Sequence, residues 1–380
     1  MYTGKIPTFN WFNPTRVVFG VGELARLAEL INEISGNNSR VFLVTGRTSL
    51  KAQGILDDVI SSIGSSRITV FNKVSPFPSP DLVDDALSEC RQSSSDIVVA
   101  IGGGSALDLA KCVAILMTHE GGARDYAFGP KSIQRASLPF IAVPTTSGSS
   151  SEVTIGAALW DMKAQKSAGL FSPHMFPTVA IVDPNLTMSM PQILAANTGF
   201  DAFTSAFESY WSVQAEPISD AIALEVIRIF CENLERSCVD GDIASRSACA
   251  LAATLSGIGY SNSLPNMCHA VGSPLTIYWN VEHGQSVGIT LPSFLRWNSD
   301  AISDKMDALF KAMSVGNLDQ AECKLFHMLE NCGLQTRLRG LGLVRDDIDI
   351  LTENIKWELV SRLPRSFNKD DARSLLEEIF

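Results

Sequence analysis

The residues best placed for chemistry are Gly102-Gly103-Gly104-Ser105, which close a β-branched run at 97–101 and open a segment with helical spacing. Three consecutive glycines let backbone N–H groups approach a phosphate without Cβ obstruction, and a helix N-terminus behind them adds unpaired donors and partial positive charge. That combination suits a dinucleotide pyrophosphate. The loop is not G-x-G-x-x-G and carries no G-K-[ST], so neither the common dinucleotide fingerprint nor the P-loop applies. Cysteine, the other residue type with metal or redox chemistry, occurs at 90, 112, 231, 238, 249, 268, 323 and 332, with no C-x-x-C pair. Such scatter argues against structural zinc and a disulfide framework, and fits buried thiols in a reducing compartment.

The elements that must hold the glycine loop are legible around it. Runs at 40–45, 68–71, 97–101, 140–143 and 179–182 are continuously apolar, as strands covered on both faces are. Segments 51–63, 79–94 and 106–118 lie between the first four and carry apolar residues at helical spacing. This alternation predicts a mostly parallel sheet with right-handed crossovers. After Asp183-Pro184 the pattern turns helical, near 190–212, 217–236, 243–262, 302–313, 318–331 and 368–379. The expected architecture is α/β followed by all-α, with a Rossmann-like domain over 1–184 and a helical domain over 185–380.

At 380 residues the chain has room for two domains of about 150–200 residues. With 46% apolar and 19% charged residues it is globular in composition, and its formal charge of −11 without a basic run excludes nucleic acid and anionic membrane as partners. Residues 1–7 lack a signal-peptide pattern, and no apolar stretch approaches the roughly 18 residues of a membrane span. A cytoplasmic location is expected.

The glycine loop extends to G-G-G-S-x-x-D-x-A-K with Asp108 and Lys111. It is followed by Pro144-Thr145-Thr146-Ser147-Gly148-Ser149-Ser150-Ser151-Glu152-Val153-Thr154, Asp183-Pro184, Gly199-Phe200-Asp201-Ala202, His269-Ala270 and His283-Gly284. This ordered series resembles the iron-containing (group III) alcohol dehydrogenase family from about residue 10 to the C-terminus. The resemblance implies NAD(P) and a divalent metal, zinc or iron, in the cleft between domains, and a homodimer or larger homo-oligomer. By position it assigns cofactor contacts to Gly102, Gly103, Gly104, Ser105, Asp108, Thr145, Thr146, Ser149 and Lys166. Many members follow the first strand with Asp, which binds the ribose hydroxyls and repels a 2′-phosphate. Here Gly46 removes the repulsion, while Arg47 and Ser49 offer donors to a phosphate, so NADP(H) is expected over NAD(H).

The family's metal ligands are an Asp, a His four residues on, and two later His. Asp201, His269 and His283 match three of them, and Ser205 stands where the fourth is expected. Three readings stay open: a three-ligand metal site with an open position, a metal-free reductase site, or a degenerate cleft. A second His often used as a proton relay is replaced by Ser273, leaving Ser273, Ser205, Lys166 or water as proton source; Gln285 is expected to line the same cleft. The expected function is hydride transfer between NAD(P)H and a small carbonyl substrate. The text 208–213, with the two His segments, resembles the phosphonoacetaldehyde-reductase branch, which implies an anionic aldehyde with Arg362 and Arg365 as candidate anion binders. Alternatives are a lyase or cyclase like dehydroquinate synthase using bound NAD, and a nucleotide-binding protein without turnover.

Overall fold

The computed structural model describes residues 8–380; the signal-peptide reading concerns residues 1–7, which lie outside the described residues. The chain forms two compact units. One comprises Asn13–Thr146 and Ser150–Thr187, the other Met188–Phe380 with Ser147–Ser149 and residues 8–12. The division thus falls after Thr187 instead of residue 184, and the 147–149 segment counts with the helices.

The first unit holds strands β1 (Arg16–Phe19), β2 (Val41–Gly46), β3 (Ile68–Val74), β4 (Ile97–Gly102), β5 (Phe140–Pro144) and β8 (Val179–Val182) in one sheet of order β1-β8-β5-β4-β2-β3. Every pairing in it is parallel. A separate antiparallel hairpin joins β6 (Gly156–Asp161) to β7 (Lys166–Phe171). Helices α1 (Leu27–Ser35), α2 (Ser49–Ala52), α3 (Ile55–Ile63), α4 (Pro80–Ser93), α5 (Gly104–Leu116) and α6 (Ala123–Ala127) fill the crossovers. Successive strand residues point to opposite faces, so Phe42, Val44, Val98 and Ala100 enter one core and Val41, Leu43, Ile97, Val99 and Ile101 the other. That double burial explains the unbroken apolar runs. The expected helix at 51–63 is divided by Gly54, whose φ of 75° belongs to the left-handed region. β1 was not expected, being a four-residue edge strand with one buried side chain; the hairpin turns at 162–165 and stands outside the sheet.

The second unit is helical: α7 (Gln192–Trp211), α8 (Pro217–Val239), α9 (Ile243–Ser263), α10 (Met267–Trp279), α11 (His283–Gly288), α12 (Leu291–Asn298), α13 (Met306–Met313), α14 (Leu318–Asn331), α15 (Asp347–Glu353) and α16 (Lys369–Glu378). α10, α11, α12 and α15 were not anticipated. The core runs along α7, where Phe200, Phe203, Phe207 and Trp211 make a chain of ring contacts with centroids 5.1–6.0 Å apart. No described helix is long and apolar enough to cross a membrane. The eight cysteines are free; Cys323 is exposed and Cys231 partly so, unlike the buried thiols expected.

Candidate functional site

Asp201, Ser205 and Glu208 occupy i, i+4 and i+7 of α7 and therefore share one helix face. Glu208 is fully buried and is the residue that the sequence reading missed. Its carboxylate closes the N-terminus of α10: Oε1 accepts the N–H groups of Cys268 (2.5 Å) and His269 (3.2 Å), and Oε2 that of Asn266 (3.1 Å). Oε2 also lies 2.6 Å from His269 Nδ1. Asn266 locks this corner by donating Nδ2–H to the Glu208 carbonyl and accepting Trp211 Nε1–H. A carboxylate inside an otherwise apolar, fully buried helical run is the signal that could have found Glu208.

His283 reaches the same place because α11 packs without side chains in the way. A Cβ on Gly284 would meet the Asn197 carbonyl oxygen of α7 at 1.6 Å, and one on Gly272 of α10 would meet Val287 at 2.8 Å. Asn197 Oδ1 also accepts the Gln285 N–H at 2.8 Å. Gln285, expected in the cleft, instead exchanges side-chain hydrogen bonds with the backbone of Gln335. Inside α10, Pro274 has no N–H for the Ala270 carbonyl four residues earlier, and that carbonyl accepts the Lys356 N–H at 3.3 Å. The proline therefore docks the segment after α15 beside His269.

Donor atoms of Asp201, His269 and His283 all lie within 4.8 Å of one another. His269 Nε2 is 3.4 Å and His283 Nε2 3.8 Å from Asp201 Oδ1, and the two imidazole centroids are 5.3 Å apart. Burial works against charge on His269, but Glu208 on one side and Asp201 on the other raise it to about 10. Burial lowers His283 to about 4; Asp201 opposes this, while the positive charges of His269 and Lys356 add to it. Burial alone would raise Asp201, yet the hydrogen bond from His269 and the two imidazoles hold it below the ordinary carboxylate value. One carboxylate and two imidazoles at these separations are a suitable donor set for a divalent ion of the zinc or iron type. Ser205 is buried on the same face. Ser273, expected as a proton source, donates its hydroxyl to the His269 carbonyl at 2.9 Å, an i−4 bond within its own helix.

Two cations flank these residues. Burial depresses Lys356, whose charge reaches His283, and depresses Arg362, whose charge reaches Glu208. Arg362 donates to the Pro265 carbonyl at 2.7 Å, and among the described residues neither cation has a carboxylate within ion-pair distance. Arg365 differs from expectation: it stacks over Trp297 at 4.2 Å and donates to that residue's carbonyl.

In the α/β unit the carboxyl ends of β2, β4 and β5 are neighbours, with Thr45 beside Ile101 and Gly102 beside Pro144. This brings Gly46, Gly102, Gly103, Gly104, Ser105, Thr145 and Thr146 to one edge, where α5 begins without a side-chain cap on its first N–H groups. A Cβ at Gly102 would stand 2.7 Å from that of Ala106, so the strand-to-helix turn admits no side chain there. Arg47 and Ser49 follow Gly46; Arg47 is exposed, and its Nε–H donates to the Lys73 carbonyl at 3.4 Å. Asp108 is engaged by Ser151 Oγ (2.6 Å) and the Ala158 N–H (2.9 Å), which braces the hairpin against α5 and takes both carboxylate oxygens. Lys111, fully buried beneath, donates to the carbonyls of Thr154 and Gly156. Ser149 falls in the helical unit, and Lys166 is exposed at the start of β7, opposite Asp161. His119, just past the C-terminal end of α5, is buried and accepts the N–H groups of Gln134 and Arg135.

The family model described as iron-containing alcohol dehydrogenase matches residues 14–184, and the one described as Fe-containing alcohol dehydrogenase family, C-terminal, matches 195–380. A sulfoacetaldehyde reductase of Bilophila wadsworthia is 29% identical, covering 98% of this chain and 99% of its own. Long-chain-alcohol dehydrogenase 1 of Geobacillus thermodenitrificans is 31% identical, covering 93% of each. The crystal structure of sulfoacetaldehyde reductase from Bifidobacterium kashiwanohense in complex with NAD+ superposes with a TM-score of 0.92 at 27% identity, over 98% of this chain and 99% of that one.

Proposed function

This chain belongs to the iron-containing alcohol dehydrogenase family, and from that premise we propose that it reduces a small aldehyde bearing an acidic group, with NADPH as the preferred cofactor and a divalent cation on Asp201, His269 and His283. The coarser activity is that of its relatives: it is an NAD(P)-dependent oxidoreductase acting on CH–OH groups. The convergence of one carboxylate and two imidazoles within 4.8 Å carries the metal part of the proposal.

When bound, the dinucleotide supplies hydride and the divalent ion supplies Lewis acidity at the carbonyl oxygen. The protein's share is placement. Gly102, Gly103, Gly104 and Ser105, at the uncapped start of α5, offer N–H groups to the pyrophosphate, with Thr145 and Thr146 beside them. Gly46 leaves the 2′-phosphate unopposed by a carboxylate, and Arg47 and Ser49 are its donors in this reading. Ser149 and Lys166 remain proposed cofactor contacts. Asp108 acts as a brace for the 151–158 segment. In the helical unit, Asp201 Oδ1, His269 Nε2 and His283 Nε2 converge on one point, and a divalent ion there would take the place of the proton that His269 Nε2 turns toward Asp201. Lys356 and Arg362 are the counter-charges for the substrate's acidic group, supported by their lack of any carboxylate partner among the described residues. The Ser273 proton is committed to the His269 carbonyl, which favours water as the proton source.

Assembly into a homodimer or larger homo-oligomer is part of the proposal. It is supported by β1, a sheet edge that exposes Val17 and Phe19, since uncovered apolar edges invite strand pairing. Eight free thiols fit the proposed cytoplasmic location.

The test is NADPH consumption with short aldehydes carrying sulfonate, phosphonate or carboxylate against neutral aldehydes of equal length, before and after chelation and on return of Zn2+ or Fe2+. Faster turnover of the acidic aldehydes, lost on chelation and restored by metal, is expected. Full activity after metal removal refutes the metal assignment, and equal kcat/KM for neutral aldehydes refutes the acidic substrate.

A further inference from the structure

We infer that Glu208 is a positioning residue for the divalent ion, holding His269 in the one tautomer that can bind it. The inference rests on the reading that Asp201, His269 and His283 hold such an ion. Glu208 is wholly buried, and each of its oxygens receives two N–H groups from the first turn of α10: Cys268 N and His269 N on Oε1, Asn266 N and His269 Nδ1 on Oε2. A carboxylate so surrounded is rigid and only accepts. His269 Nδ1, 2.6 Å from Oε2, must therefore carry its proton, since a bare nitrogen there would face oxygen lone pairs. When an ion displaces the other ring proton, the one His269 turns toward Asp201, the imidazole left behind is neutral with its lone pair on Nε2, the atom 3.4 Å from Asp201 Oδ1. The opposite tautomer would point a proton at the ion.

Charge gives the carboxylate a second task. A divalent ion held by Asp201 and two neutral imidazoles retains one uncompensated positive charge in a mostly buried place. Position 205, one turn along the same face, offers only a neutral serine. Glu208 provides the missing charge through the imidazole, raising the basicity of Nε2. A ligand set one imidazole short of the family pattern thus leans on the carboxylate behind His269.

A purely structural role for Glu208, capping α10, makes a different prediction for Glu208→Gln. Gln retains an Oε1 that accepts from Cys268 and His269, so most of the cap survives. Its amide N–H2 faces Nδ1, however, and drives the ring to the tautomer with the proton on Nε2. Zinc titration of the metal-stripped chain by calorimetry should show E208Q binding Zn2+ about 10–100-fold more weakly than the wild type, with NADPH affinity unchanged. Zinc affinity within about threefold of wild type overturns the inference. A second measurement needs no variant: 15N NMR of the five histidine rings in the zinc-loaded wild type should show His269 protonated at Nδ1 and bound through Nε2. A proton on His269 Nε2 overturns the inference even if E208Q fails to fold. A wild type that takes up no zinc overturns the underlying metal reading as well, and is thereby distinguished from a failure of Glu208 alone.

Discussion

Replacing Gly284 by Ala tests whether the His283 position depends on the close approach of α11 to α7. The added Cβ would sit 1.6 Å from the Asn197 carbonyl oxygen and 2.4 Å from its carbon, where real Cβ contacts essentially never fall below 3.0 Å. The backbones must separate by at least the difference, 1.4 Å. Retreat is blocked on the other side, because Gly272 of α10 already lies so near α11 that its own Cβ would come within 2.8 Å of Val287. The obstructing atoms are main chain on a 20-residue helix, so they cannot swing aside as a side-chain tip would. Overpacking of this kind costs about 1–3 kcal/mol, and a backbone collision belongs at the upper end. For a unit of roughly 200 residues that lowers Tm by about 6–12 °C. His283 adjoins Gly284 and moves with it, and a misplacement of about 1 Å at a reacting centre costs on the order of 100-fold in rate. The unfolding temperature, zinc affinity and kcat/KM for an acidic aldehyde should all fall in G284A, while NADPH affinity, whose proposed contacts lie mostly in the other unit, stays near the wild-type value. Wild-type zinc affinity together with wild-type kcat/KM would refute the packing argument.

Gly46→Asp is the contrasting case, because nothing lies within 4 Å of the added Cβ and the fold should tolerate it without a change in Tm. Its carboxylate should lower the ratio of kcat/KM for NADPH to that for NADH by about tenfold or more, equal to about 1.4 kcal/mol, and an unchanged ratio disposes of the 2′-phosphate reading. Lys111 gives a pH signature. Burial lowers it from 10.5 to about 8, so between those values the unfolded chain binds a proton that the folded chain has released, and stability rises with pH across the window. Denaturant unfolding of wild type and Lys111→Met should show a difference that shifts in favour of the wild type from pH 8 to pH 10.5, by up to about 3 kcal/mol. A difference that stays flat contradicts a depressed Lys111.

The central strands β2, β4, β5 and β8 were legible because burial on both faces makes each a nearly unbroken apolar run, while the edge strand β3, only partly buried, was legible from Ile68, Val70 and Phe71. α4, α9 and α14 were legible because apolar residues recur in them at helical spacing, and in the structure side-chain caps at Ser79, Asp242 and Asn317 fix where they begin. α10 and α11 were not, and they carry His269 and His283. α10 is buried through most of its length, so no polar stripe marks its period, and Gly272 and Pro274 argue locally against a helix. What makes it a helix is remote: Glu208 at its N-terminus and Lys356 on the carbonyl that Pro274 leaves free. The metal donors could be picked out by resemblance to a motif, one residue at a time. The residue behind them could not, since Glu208 acts on His269 from 61 positions away. Yet the local text does constrain it. Glu208 stands among Phe207, Ser209, Tyr210 and Trp211, all buried, and an unpaired carboxylate in such surroundings costs several kcal/mol. Its own helix interior spends its N–H groups on the i−4 bonds, so the donors must come from elsewhere. The first turn of another helix offers several unspent N–H groups together, which is why a buried acid within an apolar helix predicts a helix N-terminus packed against it.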